Sequence, residues 1–152
     1  MIHIGKDDFS FSILNMSSHK DLLNLTVNIN GVSFGTLDSP TYMPSFIAAF
    51  KYLLTSPSYF NNNLTSENFL ENLYPNNQFI NYYHLTLEET FDDFTKLAVR
   101  NKKSVFFIFL LNTNPFFTYQ NLKENTVYAE YVPITSVESA LQELIKYIDC
   151  LA

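Results

Sequence analysis

Few residues in this chain have a type and spacing that could do chemistry. His84 and Glu88 stand four apart, which on a helix would bring two ligands together. A metal site needs a third convergent ligand and hydrogen-bonded partners behind it. None is near in sequence, and the local pattern is strand-like, so a surface histidine is the favoured reading. His19 and Asp21 fall in a polar loop between two expected strands. No Gly-x-Ser-x-Gly elbow presents a serine nucleophile. Cys150 sits beside Leu151 near the end of the expected carboxy-terminal helix, with Asp149 and Lys146 as its nearest charges. A catalytic thiol needs an electropositive setting, so packing or solvent explains Cys150 better. Gly5, Gly31 and Gly35 are the three glycines, too few for a phosphate-cradling loop. The expectation is a protein that is not an enzyme, with no catalytic residue, cofactor or metal.

The segment Glu88-Glu89-Thr90-Phe91-Asp92-Asp93 differs in kind, with four carboxylates in six residues. Their repulsion asks for compensation by solvent, a cation or a basic partner. For an arbitrary protein a solvated turn is the bland reading. Calcium is disfavoured, because the alternating ligands and glycine of a calcium loop are missing. Aromatics in expected loops (Tyr59, Phe60, Phe116, Phe117 and Tyr119) either fill the core or serve as anchors of the type enriched at binding hot spots.

The elements that must position these residues are legible in the hydrophobic pattern. Phe9, Phe11 and Ile13 alternate with Ser10 and Ser12, as in a half-buried strand. Asn30-Gly31 is a type I′ hairpin turn, since both residues tolerate positive φ. Folding there pairs Ile29 with Val32 and Val27 with Phe34 on one face, and Asn28 with Ser33 and Thr26 with Gly35 on the other. A slip by one residue would invert both faces. The chain leaves the sheet through residues 35–40. Pro44 suits the first turn of a helix, in which Phe46, Ile47, Phe50, Leu53 and Leu54 form one apolar stripe. Ser56-Pro57 ends it. A short helix is expected over Ser66 to Tyr74 with Phe69, Leu70 and Leu73 inward, then a strand over Tyr82 to Leu87. Glu88 to Arg100 fits either helix or strand, and the reading adopted is a strand after a turn at Asp92-Asp93. Val105 to Leu111 is a continuous run of β-formers, expected to be a central strand covered on both faces. Thr126 to Val132 adds a strand, and Ser136 is expected to cap a final helix with Leu141, Leu144, Ile145 and Ile148 buried. The sum is one domain over residues 1–152 of class α+β: an antiparallel sheet of about five or six strands, carrying an amphipathic helix from the amino-terminal half and a carboxy-terminal helix.

Bulk properties narrow the partners. The chain of 152 residues has 47% apolar and 16% charged residues, as a globular protein does. Phe, Tyr and Asn are abundant (15, 10 and 17 residues) and Trp is absent. This bias fits an AT-rich genome and must be subtracted before aromatics are read as function. The net charge is −6, with nine scattered Lys and Arg. No basic stripe exists to neutralise phosphates, so nucleic acid is disfavoured, whereas a basic partner is suited. The start Met1-Ile2-His3-Ile4-Gly5-Lys6 lacks a signal core. The longest apolar run is too short to span a bilayer, and one cysteine agrees with a reducing compartment. The cytoplasm is therefore the expected location, with no membrane partner. The sequons at Asn15-Met16-Ser17, Asn24-Leu25-Thr26 and Asn63-Leu64-Thr65 are read as chance products of asparagine abundance.

Several of these features, taken in order, resemble the immunity proteins of bacterial contact-dependent growth inhibition and related polymorphic-toxin systems. They are the hairpin Ile29-Asn30-Gly31-Val32, then Gly35-Thr36, Pro40-Thr41-Tyr42, and Ser45-Phe46 opening a helix. Glu89-Thr90-Phe91-Asp92-Asp93-Phe94, a polar turn and an apolar strand follow, so that about half of the chain is covered. Where the family's apolar strand often carries a Trp, this chain has Phe107 and Phe109. The resemblance implies a small cytoplasmic α+β protein that binds the toxic carboxy-terminal domain of a cognate effector, commonly a nuclease, and blocks it as a monomer or weak dimer. It transfers no catalytic residues. Acidic charge then nominates Glu88, Glu89, Asp92 and Asp93 as partner-binding residues, with Asp7, Asp8 and Asp38 behind them. Two alternatives stay open at this point: an adaptor or chaperone-like module for a secreted effector, and, less favoured, a small hydrolase with a scattered active site.

Overall fold

The computed structural model of the chain describes residues 1–14 and 19–151; the Asn15-Met16-Ser17 sequon lies outside them. Strands β1 (Ile2–Gly5) and β2 (Phe9–Ile13) are followed by β3 (Leu22–Leu23), β4 (Leu25–Ile29) and β5 (Val32–Phe34). The short β6 (Thr41–Tyr42) leads into helix α1 (Met43–Thr55), and α2 (Phe69–Leu73) follows after a loop. A 3₁₀ turn at Glu89–Phe91 precedes β7 (Phe94–Arg100), β8 (Ser104–Leu111), β9 (Val127–Pro133) and the closing helix α3 (Ile134–Asp149).

The class is α+β, and the strands pair antiparallel throughout these sheets. Instead of one sheet of five or six, the nine strands among the described residues divide into sheets ordered β1-β2-β4-β5, β3-β6 and β7-β8-β9. The division has a steric cause. Gly35, at φ +105°, turns the chain out of the first sheet after only three residues of β5. The two larger sheets then meet through aromatic rings, with Phe9 stacked on Phe107 at 5.7 Å and Phe34 tilted against Phe109 at 4.6 Å.

The hairpin has the register read from the sequence: Ile29 opposite Val32, Asn28 opposite Ser33 and Val27 opposite Phe34. Asn30 and Gly31 both take positive φ, 49° and 86°, as a type I′ turn requires. Helix α1 has its proline in the first turn and buries Met43, Phe46, Phe50 and Leu53. Arg100 closes the other end, its Nη1 donating to the Leu53 and Ser56 carbonyls at 2.7 and 2.8 Å. A guanidinium at this position satisfies orphan carbonyls and complements the helix dipole.

Strand β8 is central and buried on both faces. Val105, Phe107, Phe109 and Leu111 join the main core, while Phe106 and Ile108 join a second cluster with Leu64, Phe69, Leu73, Leu97 and Val99. Its hairpin with β7 is held by Asn101, whose side chain accepts from the amides of Lys103 and Ser104, both at 2.8 Å.

Four local expectations change. Leu70 is exposed, because a helix of five residues docks through Phe69 and Leu73 alone. Residues 82–87 are not a strand. Tyr83 takes φ 66°, which breaks the extended run, and what remains is an isolated bridge from His84 to Leu97 beside two amide bonds to β7, Leu85 N to Lys96 O and Ala98 N to Tyr83 O. Ser136 does not cap α3; the helix starts two residues earlier, and buried Ser136 donates to Asp8 Oδ2 at 2.9 Å. Strand β1 was not expected, since four residues with one buried side chain, Ile4, give little periodicity to read. The stretch after Glu88 is a turn and then a strand, as the sequence pattern predicts.

Gly35 is required by packing as well as by φ. A Cβ there would lie 2.6 Å from Phe91 Cε1, so hairpin exit and ring fit only without a side chain. Gly35→Ala combines a strained φ with overpacking and is expected to destabilise the protein by about 2–4 kcal/mol in urea titration. A loss below about 0.5 kcal/mol would show that the ring moves aside freely.

Candidate functional site

The acidic segment is shaped by the two residues inside it that are buried. Phe91 is fully buried, its ring meeting Phe34 at 5.8 Å and Phe46 at 5.6 Å. Thr90 is buried as well, and its hydroxyl bonds that of Thr41 at 2.6 Å, tying the turn to β6 where α1 begins. With these two side chains drawn inward, Glu89 and Asp92 are left exposed and Glu88 and Asp93 half-buried. The turn thus spreads its carboxylates along one surface.

All four acidic residues line a single open cleft of about 590 Å³. Leu22, Tyr42, Phe116 and Phe117 supply its apolar lining, and no Lys, Arg or His is among the described lining residues. Phe116 is 86% exposed and Tyr42 46%. The carboxylates of Glu88 and Glu89 make no hydrogen bond or ion pair among the described residues.

Asp93 has a different duty. Its Oδ1 accepts from the Phe116 amide at 2.8 Å, and its Oδ2 from the Phe117 amide at 3.0 Å and the Tyr119 hydroxyl at 2.8 Å. Burial opposes its ionisation, but the three donors together outweigh burial and hold the carboxyl below its usual range. Tyr119 is shifted the other way: burial first, then its bond to Asp93, raises the phenol above its ordinary value. The pair therefore keeps one charge and one proton, and clamps the loop that carries Phe116.

Lys96, which the sequence did not single out, runs beneath the turn. Burial lowers its ammonium from the usual lysine value while nearby Asp92 pulls it back up. Its Nζ donates to the Phe91 and Phe94 carbonyls at 3.2 and 3.4 Å. Leu22 and Tyr42 were also missed; both belong to the two-residue strands β3 and β6, too short to leave a periodic signal.

The remaining nominated residues are spread out. Asp38 lines a neighbouring cleft of about 380 Å³ together with Tyr119, so segments 36–40 and 116–119 form walls of both. Asp7 is exposed in the β1–β2 turn. Asp8 sits at the amino-terminal end of α3, where the helix dipole favours an anion. Its backbone carbonyl accepts from the Asn30 amide at 2.9 Å, its Oδ2 accepts from Ser136, and its Oδ1 is buried without a partner among the described residues. Neither Asp7 nor Asp8 is among the residues found to line the acidic cleft.

His84 is exposed, its carbonyl taken by the Tyr59 hydroxyl, and the His19 Nδ1 accepts from the Asp21 amide at 3.1 Å. Among the described residues no group of three or more His, Cys, Asp or Glu could hold a metal ion, and no helix is long and apolar enough to cross a membrane. Cys150 is exposed at the end of α3.

Fold and cleft together define an α+β protein with an acidic depression edged by exposed rings. No family model matches the chain, and no curated protein matches its sequence. A solved structure does match its fold: CdiI from Burkholderia dolosa AUO158, over 96% of this chain and 99% of that one, with TM-score 0.57 and 10% identity. CdiI is a contact-dependent growth inhibition immunity protein, of the family that the sequence resembles. At that identity the likeness is one of fold.

The Asp93 clamp gives a pH signature. A carboxyl whose folded-state pKa is depressed contributes stability that is present above its unfolded value, about 4, and lost as pH falls through the lower folded value. Asp93→Asn is expected to lower stability by about 1–2 kcal/mol at neutral pH and to flatten the loss seen below about pH 4. Urea titrations at stepped pH check this; an unchanged acid limb would show that Asp93 is not the group responsible.

Proposed function

We propose that this protein is an immunity protein, which binds the carboxy-terminal toxin domain of a cognate contact-dependent inhibition or polymorphic-toxin effector and blocks it stoichiometrically in the cytoplasm. The observation that carries the proposal is the correspondence of fold with CdiI along nearly the whole of both chains. Surface chemistry supports it. An enzyme that acts on nucleic acid must present Lys and Arg to phosphates, and a cleft lined by Glu88, Glu89, Asp92 and Asp93 without a cation offers such a surface the charge it would otherwise take from its substrate. A nuclease is accordingly the proposed toxin class. Neutralisation without catalysis calls for nanomolar affinity or better, about −12 kcal/mol, over an interface of roughly 1,600 Å². Glu88, Glu89 and Asp92 are the proposed charged contacts, with Asp38 on the adjoining wall. Asp7 and Asp8 would join only if the partner reaches the start of α3.

Co-expression with the carboxy-terminal domain of the effector encoded immediately upstream tests the proposal. The expected result is restored growth and an equimolar complex on gel filtration. Co-purification with a fragment that stays toxic would instead mark an adaptor or chaperone. Reversing Glu88, Glu89 and Asp92 to Lys together is expected to slow association about tenfold or more and to reduce its salt dependence. Undiminished binding would remove this patch from the contact.

A further inference from the structure

Phe116 poses a physical problem that charge does not address. Its ring is 86% exposed, yet the loop bearing it is firmly held. Asp93 accepts from the Phe116 and Phe117 amides and the Tyr119 hydroxyl. On its upstream side, the Asn114 amide donates to Glu124 Oε1 at 2.9 Å, and Asn125 Nδ2 donates to the Thr113 hydroxyl at 2.8 Å. The Phe117 ring braces Phe116 edge-on at 4.9 Å. A large apolar side chain fixed in water gives up hydrophobic burial that a loose loop could recover by folding inward. Held outward, it is prepaid for association, because little loop or rotamer freedom remains to be lost on binding.

We infer that Phe116 is the anchor of the partner interface and that the cleft beside it receives an arginine side chain of the toxin domain. The inference rests on the immunity reading and deepens it. An aromatic face next to carboxylates, in a cleft whose described lining holds no cation, suits a guanidinium better than an ammonium. Arg stacks flat on a ring while its fork of N–H groups bonds carboxylate oxygens in pairs. Glu88, Glu89 and Asp92 supply the oxygens and Phe116 the ring, all on one cleft. Asp93, with its oxygens already occupied by the loop, is a positioning residue: it sets where the ring stands and does not meet the partner.

Binding of the upstream effector's carboxy-terminal domain, measured with full-length protein by surface plasmon resonance at two salt concentrations, tests this. Phe116→Ala is expected to weaken binding about 30-fold or more, chiefly through faster dissociation, with its thermal melt unchanged. Phe116→Trp, which keeps a ring, should bind within about threefold of wild type. Replacing the toxin domain's arginines by lysine one at a time should reveal one whose loss is non-additive with Phe116→Ala. Wild-type binding that survives Phe116→Ala within about threefold overturns the anchor while the immunity reading stands. Absence of any such coupled arginine overturns the guanidinium. Wild type that neither binds nor protects removes the immunity reading, and this inference with it.

Discussion

Because Val105, Phe107, Phe109 and Leu111 point into one core while Phe106 and Ile108 point into another, β8 needs cover on both sides. The rest of the molecule can be understood as supplying it. On one side the first sheet and the two long helices bring up Phe9, Phe34, Phe46, Phe50 and Leu144; on the other, α2 and its loops bring up Leu64, Phe69 and Leu73. A strand whose residues from Val105 to Leu111 are all apolar cannot sit at a surface, so flanking strands β7 and β9 and both layers become obligatory.

Phenylalanine does most of this filling, with nine of its rings fully buried. The rings meet largely edge-on or tilted, as their quadrupoles favour: Phe11 stands at 72° to Phe46 and Phe34 at 74° to Phe91. Phe91 is the link between this core and the surface. Its burial against Gly35 and Phe46 pins a turn whose neighbours are all acidic, and the Thr41–Thr90 bond fixes the same turn to the start of α1. Carboxylates that repel one another are thus held together by apolar burial a few ångströms away.

The surface that results joins carboxylates to apolar rings. Its charged groups are of one sign and its proton-bound pair, Asp93 with Tyr119, is engaged in holding a loop. Lys96 lies under the turn with its ammonium on backbone carbonyls. What remains open on the cleft is negative charge beside exposed rings.

Local rules were enough to read the hairpin register, the proline-started helix α1, the doubly covered β8 and the turn before β7, since each depends on neighbours within a few residues. The acidic cluster could be picked out for the same reason: its carboxylates are adjacent in the chain, and the fold sets all four along one cleft. Tertiary structure decided the rest. It split the described strands among three sheets, released Ser136 from capping, broke the run at Tyr83, and gave Asp93 the Phe116 and Phe117 amides and the Tyr119 hydroxyl to hold. It also gathered Leu22, Tyr42 and Phe116, far apart in sequence, around one cleft. The physical reason is the range of the forces involved. Turn chemistry and hydrophobic period act between neighbours along the chain, whereas ring packing and a carboxylate's choice of donors depend on what the folded chain brings within about 3–6 Å.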